Sequence, residues 1–132
     1  MDNKTLIKEA IKARENAYAP YSKFKVGAAI LTNDNKIYSG CNIENASFGA
    51  TNCAERTAIF KAVSEGYKEI KKIAIVGDVN NYTFPCGICR QVLAEFAKQD
   101  MEIIIAKDEN NYIVKSLKEI LPGAFTPEDL AR

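Results

Sequence analysis

Ile70-Lys71-Lys72-Ile73-Ala74-Ile75-Val76, then Pro85-Cys86-Gly87-Ile88-Cys89-Arg90, then Glu102-Ile103-Ile104-Ile105-Ala106: this stretch decides the fold. The first and last segments are short, β-branched and apolar, and each reads as a buried strand. Between them Gly87 to Lys98 reads as a helix, with Val92, Leu93, Phe96 and Ala97 apolar. A strand, a crossover helix and a second strand make a parallel pair with a right-handed crossover. Asp78 to Pro85, with Asn80-Asn81, is a polar loop that delivers the chain to Cys86.

The flanking segments extend this unit. Residues 4 to 17 form a helix, with Leu6, Ile7, Ala10, Ile11, Arg14 and Ala17 at helical spacing and Lys8, Glu9, Lys12 and Glu15 opposite. Pro20 ends it. Phe24 to Leu31 and Lys36 to Cys41 form an antiparallel hairpin around Asn33-Asp34-Asn35. Asn42 to Asn52 is polar loop. A helix over 53–65 follows, capped by Asn52 or Thr51 and stopped by Gly66. After the 102–106 strand, Asp108-Glu109-Asn110-Asn111 turns the chain into a short strand over 112–114. Ser116 to Leu121 is a short helix broken by Pro122-Gly123, and Thr126 caps another with Pro127 at its first position. The expectation is one α/β domain over residues 1–132, with three layers, α/β/α, on a mixed five-stranded sheet.

Composition limits the chemistry. The chain has 132 residues, enough for one core, and a formal net charge of +1. That balance offers no attraction to nucleic acid or to an anionic membrane. No apolar run approaches a membrane span, and Met1-Asp2-Asn3-Lys4-Thr5 leads into an amphipathic pattern, so a cytoplasmic location is expected. There is no histidine. This excludes Ser-His-Asp and Cys-His catalysis and every histidine-ligated metal site. Four cysteines in a reducing setting point to metal binding or catalysis and away from a disulfide framework.

Cys86-Gly87-Ile88-Cys89 holds two sulfurs close enough to clamp one small ion. Alone it reads equally as a redox pair, half of a structural zinc site, or two core cysteines. Cys53 supplies a third sulfur 33 positions upstream. Both Cys53 and Cys86 sit where a loop runs into a helix, and a helix N-terminus favours thiolate over thiol. Three sulfurs leave a tetrahedral zinc with one open position, the mark of a catalytic site, whereas recruiting Cys41 would close it as a structural one. Glu55 lies two residues beyond Cys53. Residues at that spacing do not share a helix face, so the two converge only if Cys53 is at the boundary and Glu55 in the first turn. Otherwise Glu55 is simply an acid favoured by the helix dipole. Three thiolates on one Zn2+ leave a formal −1, which a nearby cation offsets; Arg56 is the first candidate and Arg90 the second.

With Cys53-Ala54-Glu55-Arg56 and Pro85-Cys86-Gly87-Ile88-Cys89-Arg90-Gln91 in view, the chain resembles the small, zinc-dependent cytidine deaminases with three cysteine ligands. Tyr18 to Ala29 resembles their opening segment, Gly40 to Ala46 their sugar-binding loop, and Leu121-Pro122-Gly123-Ala124-Phe125 their C-terminal signature. The resemblance implies hydrolytic deamination of cytidine and 2′-deoxycytidine, as in pyrimidine salvage. It implies one zinc per subunit on Cys53, Cys86 and Cys89, with Glu55 as the proton carrier. It implies that Phe24 packs on the pyrimidine and that Asn42 and Glu44 bind the ribose 3′-hydroxyl. By the same resemblance, backbone groups around Ala54 and Pro85 would hold the base edge. Phe125 resembles a residue that reaches a neighbouring subunit's site, which implies a homotetramer with sites near subunit interfaces. Ile88 and the run Phe48-Gly49-Ala50-Thr51 depart from the family pattern. Competing readings are a deaminase of another cytosine compound such as blasticidin S, a zinc-stabilised binding domain, and a nucleic-acid editor.

Overall fold

The computed structural model describes residues 2–130; Met1, Ala131 and Arg132, part of the expected 1–132 domain, lie outside the described residues. In chain order the elements are α1 (Asn3–Arg14), β1 (Gly27–Thr32), β2 (Ile37–Cys41), α2 (Ala54–Ser64), β3 (Ile70–Val76), α3 (Gly87–Phe96), β4 (Glu102–Asp108), β5 (Asn111–Ser116), α4 (Leu117–Ile120) and α5 (Pro127–Leu130). A turn of 3-10 helix, Phe48–Ala50, interrupts the loop before α2.

The strands make one five-stranded sheet in the order β2-β1-β3-β4-β5. Only β3 and β4 are parallel, with Ile73 opposite Ile103 and Ile75 opposite Ile105; the other neighbours are antiparallel. The expected βαβ crossover and mixed sheet are both present.

Both faces of the central strands are buried, which is why they read as unbroken apolar runs. Ala28, Ile30, Ile73, Ile75, Ile103 and Ile105 face α2, α3 and α4. Ala29, Leu31, Ala74, Val76, Ile104 and Ala106 alternate to the other face and pack against Leu6, Ile7 and Ala10 of α1. The result is the expected three-layer arrangement, α1 on one side and α2 with α3 on the other.

Two glycines let helices press onto the strands. A Cβ on Gly27 would overlap the Ala10 carbonyl of α1, and one on Gly40 would lie 2.6 Å from the Ala58 nitrogen of α2. α2 is thereby seated directly on β2, and its N-terminus is brought to one end of the sheet. β3 ends at the same end, since residues 77–86 lead straight from it into α3. Ligands of parallel α/β units gather at these carboxyl ends of strands.

Several expected boundaries shift. α1 stops at Arg14 and not at 17, because Glu15, Asn16 and Ala17 turn on i−3 carbonyls and Tyr18 then donates to the Asn42 carbonyl. β1 begins at Gly27 and not at Phe24, because a side chain takes over as partner: Asn42 accepts from the Val26 N–H and donates to the Phe24 carbonyl. β4 and β5 run longer than 102–106 and 112–114. The Asp108 carboxylate accepts from the Asn110 and Asn111 N–H groups and tightens the turn between them. α3 ends at Phe96, two residues short of the expected 98.

Gly27→Ala should cost about 1–3 kcal/mol or more, since the added methyl meets backbone that cannot rotate away. Urea unfolding checks this. A midpoint equal to that of the parent would show that α1 does not press on β1 as described.

Candidate metal centre

Cys53 is the N-cap residue of α2 and Cys86 that of α3, and both have extended backbone. The expected caps Asn52 and Thr51 are not used. Asn52 is held one residue outside the helix, exchanging backbone hydrogen bonds with Ile43 at 2.9 Å each way. Its side chain instead donates to the Thr57 hydroxyl, which donates in turn to the Cys53 carbonyl at 3.2 Å. Thr57, not singled out from sequence, therefore anchors Cys53. Its one visible signal was its place a helical turn after that residue.

The two helix N-termini converge on three sulfurs. Cys53 Sγ lies 3.7 Å from Cys86 Sγ, and Cys86 Sγ 3.5 Å from Cys89 Sγ. A zinc–sulfur distance near 2.3 Å in a tetrahedron sets sulfurs about 3.8 Å apart, so these three fit such an ion. They form the one group of potential metal ligands among the described residues, and Cys41 is not in it. Cys41 ends β2 opposite Gly27 as a free, half-buried thiol.

Electrostatics around the sulfurs is uneven. Cys53 is pulled down to about 5, chiefly by the hydrogen bond from Cys89, with help from Arg56 and Cys86 against the cost of burial. Cys89 moves upward, because it donates to Cys53, is buried, and sits near the Glu55 charge. Arg56 Nη2 donates to Cys53 Sγ at 3.2 Å, so Arg56 and not Arg90 is the cation at the sulfurs. The buried Arg56 Nε has no partner among the described residues. Arg90 bonds elsewhere, to the carbonyls of Pro85 and Ile120.

Glu55 is on the first turn of α2 and only 4% exposed. The boundary placement of Cys53 resolves the spacing problem, and the carboxyl is turned away from bulk solvent. Burial pushes it up to about 7; the Cys53 charge adds to the rise, while its own backbone N–H and Cys89 oppose it. A carboxyl at that level both takes and gives protons near neutrality.

The segment expected to meet the sugar lies alongside. Ile43 bridges Tyr18 on one side and Asn52 on the other, so residues 42–44 run beside the lead into α2. Glu44 accepts from the Tyr21 and Ser22 N–H groups and from the Ser22 hydroxyl, which holds its carboxylate below its usual range. Ser22 also accepts from the Phe24 N–H, a link that no motif announced. Phe24 is partly exposed and leans over Gly77 at the end of β3. Ala54 and Pro85 are buried, and Phe125 is 58% exposed, its carbonyl held by Gln91 of α3. Phe48, from the departing 48–51 run, stands edge-on to Tyr21 at 6.3 Å between ring centroids.

Fold and site together define a three-layer α/β protein with a cradle of three cysteines and a buried acid. Residues 1–106 match the family described as the cytidine and deoxycytidylate deaminase zinc-binding region, and the chain belongs to that family. It is 52% identical over 130 residues to a cytidine deaminase of Halalkalibacterium halodurans, covering 98% of both chains. It is 51% identical to one of Sporosarcina psychrophila, over 99% of this chain and 96% of the other. The crystal structure of cytidine deaminase from Burkholderia pseudomallei superposes with a TM-score of 0.89 at 49% identity, over 95% of this chain and 100% of that one. The Mycobacterium tuberculosis enzyme superposes with a TM-score of 0.84 at 37% identity, over 95% and 98%.

Zinc content gives a direct check on the cradle. Cys89→Ser should drop it from about one ion per chain toward none, because it replaces one of only three soft sulfur donors with a weakly binding hydroxyl. Cys41→Ser should leave it unchanged. Metal analysis of both purified variants decides; loss of zinc on changing Cys41 would mean that the site is assembled differently.

Proposed function

We propose that this chain catalyses hydrolytic deamination of cytidine and 2′-deoxycytidine to uridine and 2′-deoxyuridine, releasing ammonia. One observation carries the reading: a buried carboxyl, Glu55, stands on the first turn of the helix whose cap supplies one of three convergent sulfurs. Membership of the deaminase family supports the same chemistry.

Cys53, Cys86 and Cys89 would hold one zinc ion per subunit. Bound there, zinc supplies Lewis acidity at its open position and brings the ionisation of water into the neutral range. Glu55 takes a proton from the attacking water as its oxygen bonds to C4 of the cytosine ring, and passes that proton to N3. It then carries the hydroxyl proton to the exocyclic amine; the C4–N bond breaks, C4=O forms, and ammonia leaves. One carboxyl suffices, since the base becomes the acid after the first transfer. Arg56 draws charge from Cys53, keeping three thiolates compatible with an electrophilic centre.

Phe24 packs on the pyrimidine, and backbone groups at Ala54 and Pro85 hold its edge. Asn42 and Glu44 take the 3′-hydroxyl. Asn42 already spends one donor and one acceptor on residues 24–26, which leaves an N–H and a lone pair for the sugar. A contact at the 3′ position makes no distinction between ribose and deoxyribose. Phe125 extends to a neighbouring subunit in a homotetramer, and residues 1–132 form one cytoplasmic domain. Among the described residues no helix is long and apolar enough to cross a membrane.

Glu55→Gln should retain zinc and lose about two or more orders of magnitude in cytidine turnover, followed by ultraviolet loss. Unchanged turnover would sink the proton-carrier role, and turnover of blasticidin S in place of cytidine would redirect the substrate.

Glu44→Gln should raise KM for cytidine and deoxycytidine alike by roughly 10-fold, the scale of one lost charged hydrogen bond. With 3′-deoxycytidine the change should be much smaller; an equal change would place Glu44 away from the sugar.

A further inference from the structure

Two side chains of α3 just beyond Cys89 take no part in the chemistry above. Arg90 donates from Nε to the Pro85 carbonyl at 2.8 Å and from Nη1 to the Ile120 carbonyl at 2.7 Å. Gln91 donates from Nε2 to the Phe125 carbonyl at 2.7 Å. Pro85 immediately precedes Cys86, and Ile120 closes α4. A single planar guanidinium thus spans the loop that presents a metal ligand and the first part of the C-terminal segment.

The bonded groups have few substitutes. The last carbonyls of a helix have no partner within it, and α4 has only four residues. Pro85 is buried and lacks an N–H, so its carbonyl is its one backbone polar group. On its other side the C-terminal segment is held by apolar contact, with Leu117 buried and Ile120, Leu121 and Ala124 against the main core. Polar ties hold it as well: the Leu117 and Lys118 N–H groups donate to the Met101 and Gln99 carbonyls, Gln91 holds Phe125, and Arg90 supplies the tie at Ile120, the one that also reaches Pro85.

We propose that Arg90 is a positioning residue that couples metal retention at Cys86 to the placement of residues 117–126, the segment carrying Phe125. This rests on the reading of Cys53, Cys86 and Cys89 as metal ligands. Fixing Cys86 with an ion fixes the Pro85 carbonyl, which orients the guanidinium and holds Ile120. The coupling is reciprocal, as any linkage between two equilibria must be. The planar fork is essential, because a lysine offers a flexible point charge that cannot make both bonds in the same geometry.

The zinc-loaded full chain and its R90K, R90A and Q91A variants test this by two readouts that need no turnover. Transfer of zinc to a chromogenic chelator should be about tenfold faster from R90K, in line with the loss of a group supporting a metal ligand. Hydrogen exchange should show residues 117–126 of the parent loosening when zinc is stripped. In R90K they should be loose already and insensitive to zinc. Q91A should loosen only the neighbourhood of 125 and release zinc at the parental rate. R90A should follow R90K if it folds, and R90K serves where it does not. Zinc release from R90K within about twofold of the parent would overturn the proposal, as would exchange over 117–126 that ignores zinc in the parent. A parent that binds zinc but leaves cytidine untouched would overturn the functional reading alone, whereas a parent that binds no zinc would overturn both.

Discussion

Two helix N-termini meeting at three sulfurs are the constraint on which the remainder of this molecule depends. Each terminus brings unpaired N–H groups and a positive dipole end, conditions that favour ionised sulfur. Neither could be aimed by its own sequence. α2 is aimed by its contact with β2, made close by Gly40, and α3 by its passage from the end of β3. The sheet between them is rigid because its central strands are buried on both faces. The cradle is therefore built by packing at a distance from the sulfurs.

The same economy governs charge. The sulfurs are unequal, Cys53 favouring thiolate and Cys89 held toward the thiol through their mutual hydrogen bond. Arg56 supplies positive charge to Cys53, and Glu55 is kept near neutrality by burial. A buried acid and a thiolate would repel if both were fully charged. Burial that favours the neutral form of the one, and an arginine beside the other, ease that conflict. The polar side chains around the site are likewise committed to the fold: Asn42 shapes the backbone of 24–26, and Glu44 organises the turn at 21–22. Preorganisation of this kind leaves less to be ordered when a ligand binds.

Much was legible in the chain alone. Ile70 to Val76 appeared as a strand with the bounds later found, because β-branched runs flanked by turn residues have few other uses. The absence of histidine forced any metal chemistry onto cysteine and carboxylate. Spacing placed Cys53 and Cys86 at helix starts, and the motif order across the chain pointed to one family. Less legible were the termini of elements where a side chain replaces a backbone partner. Asn42 standing in for a strand before Gly27, and Asn52 displaced from the cap by its bridge to Ile43, depend on residues far apart in sequence.

Residue types and their period determined the alternation of helix and strand, the three-layer core and the identity of the sulfur donors, since each follows from local geometry and composition. Only the tertiary structure decided which arginine meets the sulfurs, that Glu55 faces inward, and that Arg90 reaches Ile120. Those are facts of direction and of distance between segments. Local sequence carries no such information, because side-chain direction is settled by what packs against it once the sheet has formed.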